Sequence, residues 1–265
     1  MLKAILYYIL LIAEFIVTLF VGGIALSFYI IYKTKQGAIT NEAAFLNDAS
    51  PVIILFSLLS MVIVWFTFYK AKFSKFTLGK VLPVTKWKAM LYTSLPMFGF
   101  TLAYYAAMNL FQIHFLPKEM DELGYLAFIP YAVVGSFFSA YVFYGAIQEE
   151  LIRCGIKKWG QLLTLCLMMF PMCVFSVSEE TNIRWEYLAL LGMISTCYGF
   201  WIYGKTRSTI VLFAVYFTSN LIPSQIPSAP LAISLIIIGL AMTVWGGIIL
   251  QKKWQEMLEE EGIDL

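Results

Sequence analysis

The run LAFIPYAVVGSFFSAYVFYGAI, from Leu126 to Ile147, ends abruptly in Gln148-Glu149-Glu150-Leu151-Ile152-Arg153. As a helix the run is about 33 Å long at 1.5 Å per residue, enough to cross a hydrocarbon core of about 30 Å. A carboxylate at bilayer depth costs roughly 2.5 to 3.5 kcal/mol on insertion scales, so a pair of them requires a partner, a wet cavity or a function. Arg153 is the nearest cation in sequence. On a helix Glu149 and Arg153 stand four residues apart on one face, in the order that favours an ion pair. Glu150 then points about 100° away and needs a partner of its own. The plainer reading is a helix end that has reached the headgroups, with Lys157 and Lys158 following as ordinary cytoplasmic charges.

Composition extends this reading to the whole chain. With 61% apolar and 13% charged residues among 265, the sequence lacks the polar surface that solvates a globule of this size, and it reads as an integral membrane protein. Tyr32, Trp87, Trp159, Trp185 and Trp254 lie near the ends of apolar runs, where interfacial anchors belong. A net charge of +2 and the lack of a basic stripe interleaved with aromatics argue against a nucleic-acid partner. Cys154, Cys166, Cys173 and Cys197 fall in or beside apolar segments with no CxxC pair, so buried thiols are expected rather than a disulfide framework or zinc knuckle.

Windows long enough to span occur at Ala4 to Tyr32, Pro51 to Tyr69, Ala89 to Ile113, Leu126 to Ile147, Gln161 to Ser178, Tyr187 to Tyr203 and Leu231 to Leu250, with a shorter one from Thr209 to Ile222. The expectation is an all-α polytopic bundle of about eight transmembrane helices forming a single domain over 1–265. The first window is longer than a signal-peptide core and reads as an uncleaved span. With the N-terminus inside, the cations of the Lys70 to Lys88 loop, Arg153, Lys157, Lys158, Lys205, Arg207, Lys252 and Lys253 are cytoplasmic, while Lys33, Lys35, Lys118 and Arg184 are outside. That asymmetry predicts both termini in the cytoplasm, with residues 251–265 as a short cytoplasmic tail. The lysines from Lys70 to Lys88 read as topology signals, or as a loop lying on anionic lipid.

Other polar residues interrupt the apolar runs. Glu14 lies within the first window, where a lone acid needs protonation, pairing or a cavity, as a proton-coupled carrier would provide. His114, the only histidine, cannot build a histidine-rich zinc site and reads as interfacial. Phe175-Ser176-Val177-Ser178-Glu179 follows the fifth window, and Thr206-Arg207-Ser208 leads to Tyr216 and Asn220, which share a helix face and can converge on one point.

In order and spacing these segments resemble the signatures of the CAAX protease and bacteriocin-processing (CPBP, or Abi) family of intramembrane peptidases, over a region from about 144 to 222. The family carries a Glu-Glu pair followed by Arg, a Phe followed four residues later by His, and a His followed four residues later by Asn. Glu149 and Glu150 resemble the acidic pair and Gly155 a frequent family glycine, but Cys154 holds the arginine's place and Arg153 sits one position early. A frame shifted by one restores Arg153 and makes the first acid Gln148. Glu179 and Tyr216 stand at the two histidine positions, and Asn220 is kept.

The resemblance implies an eight-span fold and a cavity in which the first glutamate activates water and the third-signature pair stabilises the oxyanion. Such a base needs a pKa near the working pH, and the oxyanion needs aimed donors. With both histidines replaced, three functions follow as expectations. The first is a pseudoprotease that binds or regulates a membrane or envelope partner. The second is an active glutamate-dependent endopeptidase for prenylated or leader peptides, using Glu149 or Glu150 with Tyr216 and Asn220. The third is the carrier. No cofactor is expected; a histidine-ligated metal is excluded by composition, although Glu149, Glu179 and Asn220 are conceivable oxygen ligands for a hard cation. The lack of a targeting extension favours a bacterial cytoplasmic membrane as the expected location.

Overall fold

Where they are described, the apolar windows fold as helices, which satisfy their own backbone donors and acceptors without water. The computed structural model describes residues 27–35, 87–113, 135–175, 185–222 and 228–260, with single positions at 9, 13, 24, 59, 63, 129, 132, 133 and 226. Its elements are α1 (Trp87–Leu110), a π-helix (Phe138–Gln148) that runs directly into α2 (Glu149–Arg153), α3 (Lys158–Phe175), α4 (Trp185–Thr206), α5 (Thr209–Asn220) and α6 (Ala229–Glu260). Residues 27–35 are also helical, and no strand occurs among the described residues, as the all-α expectation requires. Segments of α4 and α6, Glu186–Thr206 and Ala229–Trp254, are long and apolar enough to cross a membrane. The windows Ala4 to Tyr32 and Pro51 to Tyr69 fall mostly outside the described residues.

Side-chain chemistry fits apolar surroundings. Five threonine hydroxyls inside the helices bond back to the carbonyl one turn earlier: Thr93 to Ala89 (2.6 Å), Thr164 to Gly160 (2.7 Å), Thr196 to Gly192 (2.7 Å), Thr218 to Ala214 (2.8 Å) and Thr243 to Gly239 (2.8 Å). Such bonds satisfy a hydroxyl that has no water to turn to. Large apolar side chains face outward along α6 (Leu231, Ile237, Leu240, Val244, Ile248) and α3 (Leu163, Leu167, Phe170). Apolar faces of this extent mark contact with lipid or protein.

Close backbone packing and interhelical hydrogen bonds hold the helices together. α1 and α6 cross where both lack side chains. A Cβ on Gly99 would lie 2.6 Å from the Gly239 carbonyl oxygen and 2.7 Å from the Thr243 nitrogen; one on Gly239 would lie 2.6 Å from the Gly99 oxygen and 2.7 Å from the Ala103 nitrogen. Tyrosines tie α1 to α4: the Tyr104 hydroxyl donates to the Tyr187 carbonyl (2.7 Å) and the Tyr198 hydroxyl to the Thr93 carbonyl (2.6 Å). The buried centre gathers Phe143, Tyr144 and Ile147 of the π-helix, Leu151 of α2, Leu165 of α3, Ile202 and Tyr203 of α4, Leu212 and Tyr216 of α5, and Leu250 of α6. The corner that carries the acidic pair closes over this centre.

Candidate functional site

The corner is built from three helix ends. α2 stops at Arg153 because Gly155 takes a left-handed turn (φ +70°), letting the Ile156 amide bond to the Leu151 carbonyl at 3.1 Å. α4 stops at Thr206, and the next residue, Arg207, is left-handed as well (φ +49°), with its amide on the Tyr203 carbonyl at 2.8 Å. Glycine or asparagine is usual at such a position. Ser208 then caps α5, its hydroxyl accepting from the Val211 amide at 3.5 Å.

The turn delivers the Arg207 guanidinium to Glu149. Arg207 Nη1 lies 2.7 Å from Glu149 Oε2, and the Tyr203 hydroxyl donates to the same oxygen at 3.2 Å. The ion pair that helical spacing assigned to Glu149 and Arg153 is therefore made with Arg207. Arg153 Nη1 lies 3.9 Å from Glu150 Oε2, one turn back. Glu149 faces the α4–α5 corner across the chain, and a guanidinium fixed by that corner outcompetes one at the end of a five-residue helix. Cys154, where the resemblance implies arginine, is exposed. The two acids thus diverge, each with its own arginine. Gln148 is 1% exposed in the wall behind them, and its Oε1 has no hydrogen-bond partner among the described residues.

Tyr216 points into the centre. Its hydroxyl lies 3.0 Å from the Ser195 carbonyl and 2.6 Å from the Tyr144 hydroxyl. A phenol has one proton and either hydroxyl can be the donor between them: Tyr216 donates to Ser195 while accepting from Tyr144, or donates to Tyr144, whose own proton then goes to the Thr196 carbonyl at 3.3 Å. Both hydroxyls lie against Gly199, where a Cβ would strike them. The Tyr144 ring stacks on Tyr216 (centroids 5.9 Å) and tilts against Tyr203 (6.2 Å), so an aromatic column runs from the Glu149 corner to α4's interior. Asn220 goes elsewhere: its Nδ2 donates to the Ser136 hydroxyl at 3.1 Å, and Ser136 donates in turn to the Ala132 carbonyl. The expected convergence of Tyr216 and Asn220 on one point is not made: the Tyr216 hydroxyl bonds to Ser195 and Tyr144, and the Asn220 amide to Ser136.

Glu179, Glu14 and His114 lie outside the described residues, as does the Phe175 side chain. No cluster of three or more His, Cys, Asp or Glu suited to a metal occurs among the described residues. Tyr144, Tyr203, Ser195 and the pairing role of Arg207 went unread in the sequence. The local signal was the pair of cations, Lys205 and Arg207, between two apolar windows. In comparison with known proteins, no family model, no curated protein and no solved structure matches the chain.

Proposed function

We propose that this chain is a polytopic membrane protein of about eight spans, with both termini in the cytoplasm and a CPBP-like frame in which peptidase chemistry has given way to structure. It acts as a pseudoprotease, binding a membrane or envelope partner. One observation carries the reading: the Tyr216 hydroxyl, at the position the resemblance gives to the family histidine, has its only proton held by internal acceptors, the Ser195 carbonyl and the Tyr144 hydroxyl. Losing one oxyanion donor typically lowers turnover about 10²- to 10³-fold. Glu149 Oε2 is committed to Arg207 and Tyr203, which supports a structural role for that oxygen, while Oε1 keeps lone pairs that the alternative reading would use.

The test compares membrane peptides from cells expressing wild type and a Glu149→Gln/Glu150→Gln variant, with affinity capture from the same detergent extract. The expected result is one peptide profile for both and a common captured partner. A peptide cut by wild type alone establishes the glutamate-dependent peptidase instead, since Glu149 keeps 20% of its side chain exposed.

A further inference from the structure

Helix ends far apart in sequence meet at the Glu149 corner. The Glu149–Arg207 pair ties α2 to the α4–α5 turn, and Trp201 of α4 stacks on Trp254 of α6 at 5.1 Å. Ala89 of α1, Leu151, Tyr203 and Leu250 share one buried cluster, with Ile156 of the α2–α3 turn packed on it. The charges flanking these residues are drawn to the same end. Lys157 and Lys158 stand at the start of α3, Lys205 at the end of α4 and Lys252 on α6, all exposed. Trp87 and Trp201 are exposed among them, and Trp159 is 82% exposed.

Among the described residues, the acids at this level do not cancel that charge. Glu149 and Glu150 are 20% and 13% exposed and each already faces an arginine. α6 carries Glu256, Glu259 and Glu260 farther out, about 6 to 12 Å beyond Lys252 along the helix axis at 1.5 Å per residue. Exposed ammonium groups interleaved with exposed indoles is the composition of a surface that meets lipid headgroups: the ring lies at the ester level and the ammonium reaches phosphate.

We propose that this end of the bundle binds acidic phospholipid headgroups, with Lys157, Lys158, Lys205 and Lys252 as the phosphate contacts. The proposal rests on the membrane-spanning reading above and goes beyond it, because charges that only direct insertion leave the folded protein with no lipid preference. Each lysine near an anionic surface favours association by about five-fold.

The experiment uses the full chain in vesicles with Trp159 as the single tryptophan, the others replaced by Phe. The quencher is brominated phosphatidylglycerol in a phosphatidylcholine background, or brominated phosphatidylcholine in a phosphatidylglycerol background, at equal mole fraction. Brominated phosphatidylglycerol is expected to quench with a several-fold higher relative association constant, falling toward unity in high salt and in the Lys157→Gln/Lys158→Gln/Lys205→Gln/Lys252→Gln variant. Equal quenching by the two lipids, or a preference that persists in the variant, overturns the proposal. Quenching by neither lipid overturns the membrane-spanning reading itself. A preference erased by inorganic phosphate at constant ionic strength assigns the lysines to a free phosphate ligand and overturns the lipid proposal. Native mass spectrometry of the chain with all its tryptophans, counting retained phosphatidylglycerol against phosphatidylcholine, decides the same question if the single-tryptophan chain does not fold.

Discussion

Arg207 holds two opposing contributions in one residue. A left-handed backbone costs a residue with a Cβ roughly 1 to 2 kcal/mol. The bond to Glu149 offsets that, but the guanidinium is 44% exposed, and solvent-screened ion pairs are worth about 0.2 to 1 kcal/mol. Two substitutions separate the contributions. Arg207→Gly removes the pair and the strain together, so its stability should stay within about 1 kcal/mol of wild type. Arg207→Ala removes the pair and keeps the strain, and should be less stable than Arg207→Gly by about 1 kcal/mol. Reversible unfolding in detergent mixed with dodecyl sulfate measures both. If alanine proves as stable as glycine, the left-handed turn at 207 is not what ends α4. Adding Glu149→Gln to Arg207→Gly should bring little further loss, because the partner it would have lost is already gone.

At the scale of elements, the α1–α6 crossing is the contact with least tolerance. At Gly239 the atoms facing an added Cβ are the Gly99 oxygen and the Ala103 nitrogen and Cβ, all fixed by their own helix, so the helices must part. Gly247, two turns farther along α6, has nothing within 4 Å. Gly239→Ala should therefore destabilise by about 1 to 3 kcal/mol through overpacking. Gly247→Ala should be neutral or stabilising by up to about 1 kcal/mol, the ordinary gain of replacing a helical glycine. The same unfolding assay reads both, and equal effects at the two positions would deny that α1 and α6 meet at backbone distance. The Gly199 interior contrasts with this crossing, because there the missing side chain makes room for hydroxyls rather than for a helix.

For the whole molecule, what the sequence disclosed follows from the reach of each rule. Length and apolarity are properties of a window, and the windows from Ala89, Gln161, Tyr187, Thr209 and Leu231 correspond to α1, α3, α4, α5 and α6 within a few residues, α6 running on into the charged tail. The acidic pair was legible as an anomaly, since carboxylates beside a long apolar run stand out in any frame. Its partner was not, because helical spacing ranks Arg153 first while the guanidinium that reaches Glu149 is 58 residues away and depends on a left-handed turn that its residue type disfavours. A shared helix face put Tyr216 and Asn220 together, yet their acceptors, Ser195 and Ser136, belong to different helical segments that only tertiary structure brings near. Orientation across the membrane is a property of the molecule entire and has its own test. Cys154 is exposed at the end that carries Lys157, Lys158 and Lys205, and Glu186 opens α4 about 30 Å away at the opposite end. In a chain whose other cysteines are replaced by Ala, a membrane-impermeant maleimide should label Cys154 in inverted vesicles and not in intact cells. A Glu186→Cys substitution in a chain with Cys154→Ala should give the reverse. The positive-inside bias drives both expectations, so labelling of Cys154 from outside would turn the bundle over and carry the lysine surface to the other leaflet.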